Sequence, residues 1–178
     1  MGRVETLPRA LQQADAQARV LLLAGFVLVG VATWLVIDRH PRLAGAAAAG
    51  AAAALVFGAI RAQRTPDRLL WFLDSLVDRA FDGALLAAVA VAARHSDKPV
   101  SALAIAALGV SFVAAYERAK GQSLKYRVRD SLLMRAGRYV AIAAGLLIGG
   151  LLVALVAVLA LVTFTAVDDA RQVAAQGP

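Results

Sequence analysis

The sequence predicts an all-α integral membrane protein of six transmembrane helices. Apolar residues make up 61% of the chain and charged residues 17%, against about 45–50% and 25% in soluble domains. Uncharged runs at Val20–Ile37, Leu43–Ile60 and Val100–Tyr116 are 17 or 18 residues long, close to the ~20 that cross a bilayer as a helix. Leu69–Ala93 is also apolar except for Asp74, Asp78, Arg79 and Asp82. At 178 residues, one compact unit is expected.

Residues 1–19 read as a short amphipathic segment lying in the membrane interface, with Val4, Leu7, Leu11 and Ala14 along one side. Residues 20–173 form the membrane domain. Its first span is not a cleavable signal, because no small-x-small cleavage site lies between it and the second span. The second span carries Gly45 and Gly50 among a string of alanines. Small residues let helices approach closely in lipid, so this is an inner helix or a subunit contact. The third span is the acid-bearing segment. After the fourth, residues 118–130 form a long connection, with a turn expected at Gly121, Gln122 and Ser123.

The last uncharged run, Tyr139–Val167, has 29 residues. One straight helix of that length would be ~44 Å long, against a hydrocarbon core of ~30 Å. Gly149-Gly150 divides it into a helix from about Ser131 to Ile148 and another from about Leu151, which gives six spans. The alternative is five spans, the last a long tilted helix. Residues 174–178 are a polar tail.

Basic residues divide unevenly between the two ends of the spans. Arg3, Arg9, Arg19, Arg61, Arg64, Arg68, Arg118, Lys120, Lys125, Arg127, Arg129 and Arg171 fall on one side, and Arg39, Arg42, Arg94 and Lys98 on the other. The richer side faces the cytoplasm, so both termini are expected there, in a cell (inner) membrane. The net charge of +7 reflects this bias and favours anionic headgroups. With no soluble basic domain left over, nucleic acid is not an expected partner. There is no cysteine, which excludes disulfides and thiol chemistry. His40 and His95 lie in short loops and read as solvated.

The chemistry concentrates in the third span. Ionisable side chains are costly at bilayer depth and are seldom kept there without a role. A spacing of four puts Asp74, Asp78 and Asp82 on one helical face, about 6 Å apart. The depth of Asp82, two turns below Asp74, places it away from a surface pocket. Asp74 and Asp78 are candidate ligands for Mg²⁺ or Mn²⁺, which prefer hard oxygen donors. Arg61, Arg118, Arg135 and Arg138 are candidates to hold phosphate oxygens bidentately. The competing reading is a set of interfacial arginines reaching to headgroups, with the acids neutralising them.

Leu73–Arg79, followed by Asp82, resembles the second half of the CDP-alcohol phosphatidyltransferase signature, D-x2-D-G-x2-A-R-x8-G-x3-D-x3-D. The third and fourth acids fall on Asp74 and Asp78 and the arginine on Arg61. The first half is degenerate: the first two acids fall on Ala53 and Val56, and the remaining positions on Phe57, Ile60 and Leu70. Leu133–Tyr139 is similar to the E-R-x-x-R-L stretch of actinobacterial phosphatidylinositol-phosphate synthases, with Met134 in place of the glutamate.

The resemblance implies a six-span fold, a dimer, a CDP-linked lipid or phosphorylated headgroup at the site, and Arg135 and Arg138 at the acceptor phosphate. In an active member Asp78 is the catalytic base and Asp74 a metal ligand. Two carboxylates from one helix are too few for a two-metal site of hard cations. The expected function is therefore a non-catalytic or weakly active partner in phospholipid synthesis, as a homodimer or with an intact paralogue. The alternatives are an active phosphatidyltransferase and an unrelated small transporter subunit.

Overall fold

The computed structural model describes the backbone of residues 9–128 and 131–177, and side chains from Asp15 onward. It contains six helices: α1 (Arg9–Ile37), α2 (Pro41–Ala62), α3 (Arg68–Ala93), α4 (Lys98–Ser123), α5 (Leu132–Ile148) and α6 (Leu151–Ala174). No strand occurs among the described residues.

Local chemistry sets most of the boundaries. Pro41 opens α2, where its missing N–H is no loss. Asp67, Asp97 and Ser131 cap α3, α4 and α5 by accepting from the N–H groups of Leu69, Val100 and Met134. The end of α2 is held by Thr65 Oγ1 and Trp71 Nε1, which donate to the Ala62 carbonyl at 3.0 and 3.1 Å. Gly149 takes φ +76 and ends α5, a left-handed conformation that glycine adopts without a Cβ penalty. The single long helix considered for residues 139–167 is thereby excluded.

Helix α1 runs unbroken from Arg9 through residue 19. The apolar positions of the amphipathic segment, from Val4 to Ala14, lie outside the described side chains. Helix α4 continues to Ser123 instead of turning at Gly121. Gly121 is buried, and a Cβ there would meet Val128 at 3.1 Å and Val173 at 3.4 Å. Its lack of a side chain serves packing, and the turn falls after it.

The turns after α1 and α4 share one geometry. Arg39 and Lys125 have φ 64 and 68. The next residue donates back to Leu35 O at 2.9 Å in the first case and Gly121 O at 3.0 Å in the second. Both are Schellman closures with a cation where glycine is usual. A left-handed non-glycine residue costs about 1 kcal/mol. Arg39→Gly is expected to raise stability by about 1 kcal/mol in a thermal or denaturant titration in detergent.

Helix packing forms a closed ring. α1 packs on α2, α2 on α5, α5 on α6, α6 on α4, α4 on α3, and α3 back on α1. α3 and α5 therefore stand opposite each other and meet through side chains in the interior, where the Phe81 and Tyr139 rings lie 4.1 Å apart. Leu85, Leu86, Ile142, Leu146 and Leu155 fill the space beyond them.

Apart from Leu55, the buried face of α2 is made of small residues: Gly45, Gly58, Ala44, Ala48, Ala51, Ala52, Ala59 and Ala62, which let its neighbours approach closely. Large apolar residues such as Phe26, Trp34, Phe57, Phe72, Phe112 and Phe164 are exposed on the outside. Four helices are long and apolar enough to cross a membrane: Asp15–Ile37 of α1, α2, α4 and α6. α3 and α5 fall outside that set. α3 carries Asp74, Asp78, Arg79 and Asp82 within its length, and α5 has 17 residues with Arg135 and Arg138 among them.

Candidate functional site

α3 and α5 both start at the arginine-rich end of the bundle and run inward in the same direction. Asp74, Asp78 and Asp82 occupy one face of α3. Arg135, Arg138 and Tyr139, at i, i+3 and i+4, occupy the facing side of α5. Helical periodicity alone thus sets three acids against two guanidinium groups and a phenol across the ring.

The pairs form in register. Arg135 donates to Asp74 at 2.8 Å, and its Nε lies 3.6 Å from Asp78. Tyr139 Oη donates to Asp78. Arg138 donates to Asp78 at 3.2 Å and makes a close ion pair with Asp82.

α4 closes the network from the side. Ser111 Oγ donates to Asp82. Arg79 pairs closely with Asp78 and donates to the Ser111 carbonyl at 2.9 Å. On the neighbouring flank Arg118 of α4 pairs with Asp169 of α6 at 2.9 Å. Asp74, Asp78, Asp82 and Asp169 thus face Arg79, Arg118, Arg135 and Arg138. The group is neutral overall, and burial increases inward: the side chains of Asp74, Asp78 and Asp82 are 14, 4 and 1% exposed.

Two cavities adjoin this network. The larger, about 370 Å³, lies at the arginine-rich end and is lined by Gln63, Trp71, Asp74, Asp78, Arg118 and Arg135 among others. The smaller, about 20 Å³, has room for one water-sized group. Arg79, Arg118, Arg135 and Arg138 all line it, with Ser131 and Thr165. Arg79, Arg118 and Arg135 border both spaces. A guanidinium has five N–H donors, so pairing with one carboxylate leaves donors for an oxyanion.

Of the residues expected at the site, Asp74, Asp78, Arg118, Arg135 and Arg138 come together. Arg61 does not. It donates to Gln17 of α1 at 3.1 Å and to the Phe57 carbonyl, because its place on α2 turns it towards α1. Asp82 is excluded from the larger cavity, in line with its depth, but it shares Arg138 with Asp78. Arg79, Ser111, Tyr139 and Asp169 join the network without having been singled out. Ser111 had a readable signal: it is a hydroxyl inside an otherwise apolar span.

The donor set does not fit a Mg²⁺ or Mn²⁺ site. Such ions need several anionic oxygens. Among the described residues no three Asp, Glu, His or Cys side chains gather at a metal-binding distance. Asp74 and Asp78 are each engaged by arginines, whose charge would repel a cation. The alignment to the degenerate half of the signature requires Ala53 to face Asp74, yet Ala53 is exposed on the outer side of α2 and Val56 is half-buried. No protein family, curated protein or solved structure matches the chain. The phosphatidyltransferase resemblance therefore rests on Leu73–Arg79 and Leu133–Tyr139 themselves.

Proposed function

We propose that this chain is a non-catalytic, phosphatidyltransferase-like protein that spans a cell membrane six times and binds the phosphate of a lipid headgroup. The observation that carries the reading is the small cavity to which α3, α4 and α5 contribute four arginines, while every neighbouring aspartate is already ion-paired. Guanidinium groups suit phosphate oxygens. Paired carboxylates are poor metal ligands and poor bases. A phosphoryl oxygen matches the small cavity, and the rest of a headgroup has room in the larger one. Its role is that of a partner subunit in phospholipid synthesis, as a homodimer or with an intact relative.

The pairing also supports six spans. The charges that set α3 and α5 apart from the other four helices are turned inward and compensate one another, which removes most of their cost in lipid. Both termini then lie in the cytoplasm. Since the chain has no cysteine, single cysteines introduced at residues 2 and 177 report the orientation cleanly. Neither should react with an impermeant reagent added outside intact cells.

The transporter alternative is disfavoured by the fully buried Leu85 and Leu86, which place apolar side chains one turn beyond Asp82.

The test combines binding and transfer. Calorimetry in detergent should detect glycerol phosphate binding that needs no Mg²⁺ or Mn²⁺. Arg118→Gln should weaken it about tenfold, the loss of one charge-assisted contact. A phosphatidyl-transfer assay with either metal should show no turnover. Metal-dependent transfer abolished by Asp78→Asn would establish the active-enzyme alternative and refute the non-catalytic one. Unchanged affinity in Arg118→Gln would remove the arginine cavity as the site.

A further inference from the structure

We infer that a third cavity, at the opposite end of the bundle from the ionic network, holds one acyl chain of an anionic phospholipid, with the lipid phosphate on Arg39. The inference requires the chain to span a bilayer and otherwise stands apart from the arginine cavity.

The cavity has a volume of about 430 Å³, within the range of ligand sites of roughly 300–1,000 Å³. Val36, Val89, Leu146, Leu151 and Val153 line it, from α1, α3, α5 and α6. It shares no lining residue with the two cavities of the ionic network. The space exists because Ala92, Ala93, Gly149 and Gly150 put almost no side chain into it. Every helix ends or begins at this level: α1 stops at Ile37, α3 at Ala93 and α5 at Ile148, while α2, α4 and α6 start at Pro41, Lys98 and Leu151. In a spanning protein that is the headgroup boundary, so the adjoining medium is lipid.

Beyond the mouth, where Arg39, Ser96 and Asp97 stand, water has few polar partners on the walls, and an apolar void that stays empty loses dispersion contacts. Hydrocarbon satisfies both conditions.

Charge at the mouth selects the headgroup. Arg39 lines the cavity, and no ion-pair partner of Arg39 is found among the described residues. The nearby acids are engaged. Asp97 also lines the mouth but caps α4, accepting from Val100 N–H at 3.1 Å, and Asp38 lies 3.2 Å from His40. Arg39 also has a left-handed backbone, φ 64. A non-glycine residue in that conformation is a cost, which is a reason to look for a role of its side chain. A phosphodiester is the anion that accompanies an acyl chain at this depth.

Native mass spectrometry tests the assignment on full-length protein exchanged into detergent containing equimolar phosphatidylglycerol and phosphatidylcholine. The unmodified protein should retain one phosphatidylglycerol, favoured about tenfold over phosphatidylcholine. Arg39→Gln should still retain one lipid and lose that preference. Ala92→Leu and Gly150→Leu fill the space from two helix ends and should retain none, while glycerol phosphate binding at the arginine cavity stays unchanged. Retention of lipid by both well-folded filled variants would overturn the proposal. So would equal retention of the two lipids by the unmodified protein, or a preference that survives Arg39→Gln. Should either filled variant fail to fold, the Arg39 comparison still decides.

Discussion

Replacing Arg138 by methionine is expected to lower the unfolding free energy by about 3–5 kcal/mol, the usual loss when one partner of a buried ion pair is removed. Arg138 donates to Asp78, Asp82 and Ser111 at once. Asp82 is 1% exposed, and its second carboxylate oxygen has no hydrogen-bond partner. Without Arg138 its charge would rest on Arg79, whose nearest contact is 3.9 Å away, and on the Ser111 hydroxyl. Neither water nor lipid can supply what is lost.

Removing the acid as well, in Asp82→Asn with Arg138→Met, should recover most of the stability, because no uncompensated charge then remains. Unfolding of the four proteins in a mixed-micelle titration gives the coupling directly. The solvent-accessible pair of Arg19, within α1, and Asp67, the cap of α3, 2.9 Å apart, provides the contrast. Arg19→Met should cost no more than about 1 kcal/mol. If Arg138→Met cost as little, the network would not be what holds α3 to α5.

The acid stripe was legible because helical periodicity is a local property. Spacing of four in α3 and of three in α5 put Asp74, Asp78, Arg135 and Arg138 on inward faces before any packing was known. The break at Gly149-Gly150 was legible for the same reason, since glycine enters a left-handed cap without the Cβ penalty that Arg39 and Lys125 bear.

Arg61 was not legible. A signature position tells where a residue stands along α2, but the direction of its side chain depends on which neighbour α2 packs against. That neighbour is α1, where Gln17 takes the guanidinium. Gly121 misled for a related reason: glycine marks a turn or a tight contact, and only the presence of Val173 on α6 decides between them. The number of spans turned on whether residues 139–167 form one helix or two, and hydropathy alone does not divide an uncharged run; α3 and α5, for their part, are too polar to stand out one at a time. Their charges cancel across the ring, and cancellation is a property of the pair.

That division of labour explains why the ring can carry so many charges. The apolar helices α1, α2, α4 and α6 are the ones built to meet lipid. α3 and α5, on opposite sides of the interior, direct their ionised groups at each other. Tight closure of the ring is then a condition for the network, because a gap would admit water to the pairs at one end and lipid at the other. The α2–α5 contact at Gly45 is a place in that closure where a helix backbone faces a glycine directly.

Gly45→Val is therefore expected to destabilise the protein by about 3 kcal/mol, at the upper end for overpacked cores. A Cβ at position 45 would lie 2.7 Å from the Leu147 backbone nitrogen and 2.9 Å from the Ala143 carbonyl oxygen. These are atoms of the α5 backbone, which cannot rotate aside as a side chain can. α2 would have to move off α5, breaking the alanine contacts along its inward face. In lipid, close packing is much of what holds helices together, so that loss has little to offset it. Gly109→Ala is the control. No atom lies within 4 Å of a Cβ there, and alanine is the better helix former by about 1 kcal/mol, so this variant should be as stable as the parent or more so. The two substitutions also separate at the site. Ala62 and Gln63, at and just past the end of α2, form part of the larger cavity wall, so displacement of α2 should weaken glycerol phosphate binding in Gly45→Val and leave it untouched in Gly109→Ala. Equal stability of the two variants would mean that α2 and α5 do not meet at Gly45, and the ring would have to be redrawn.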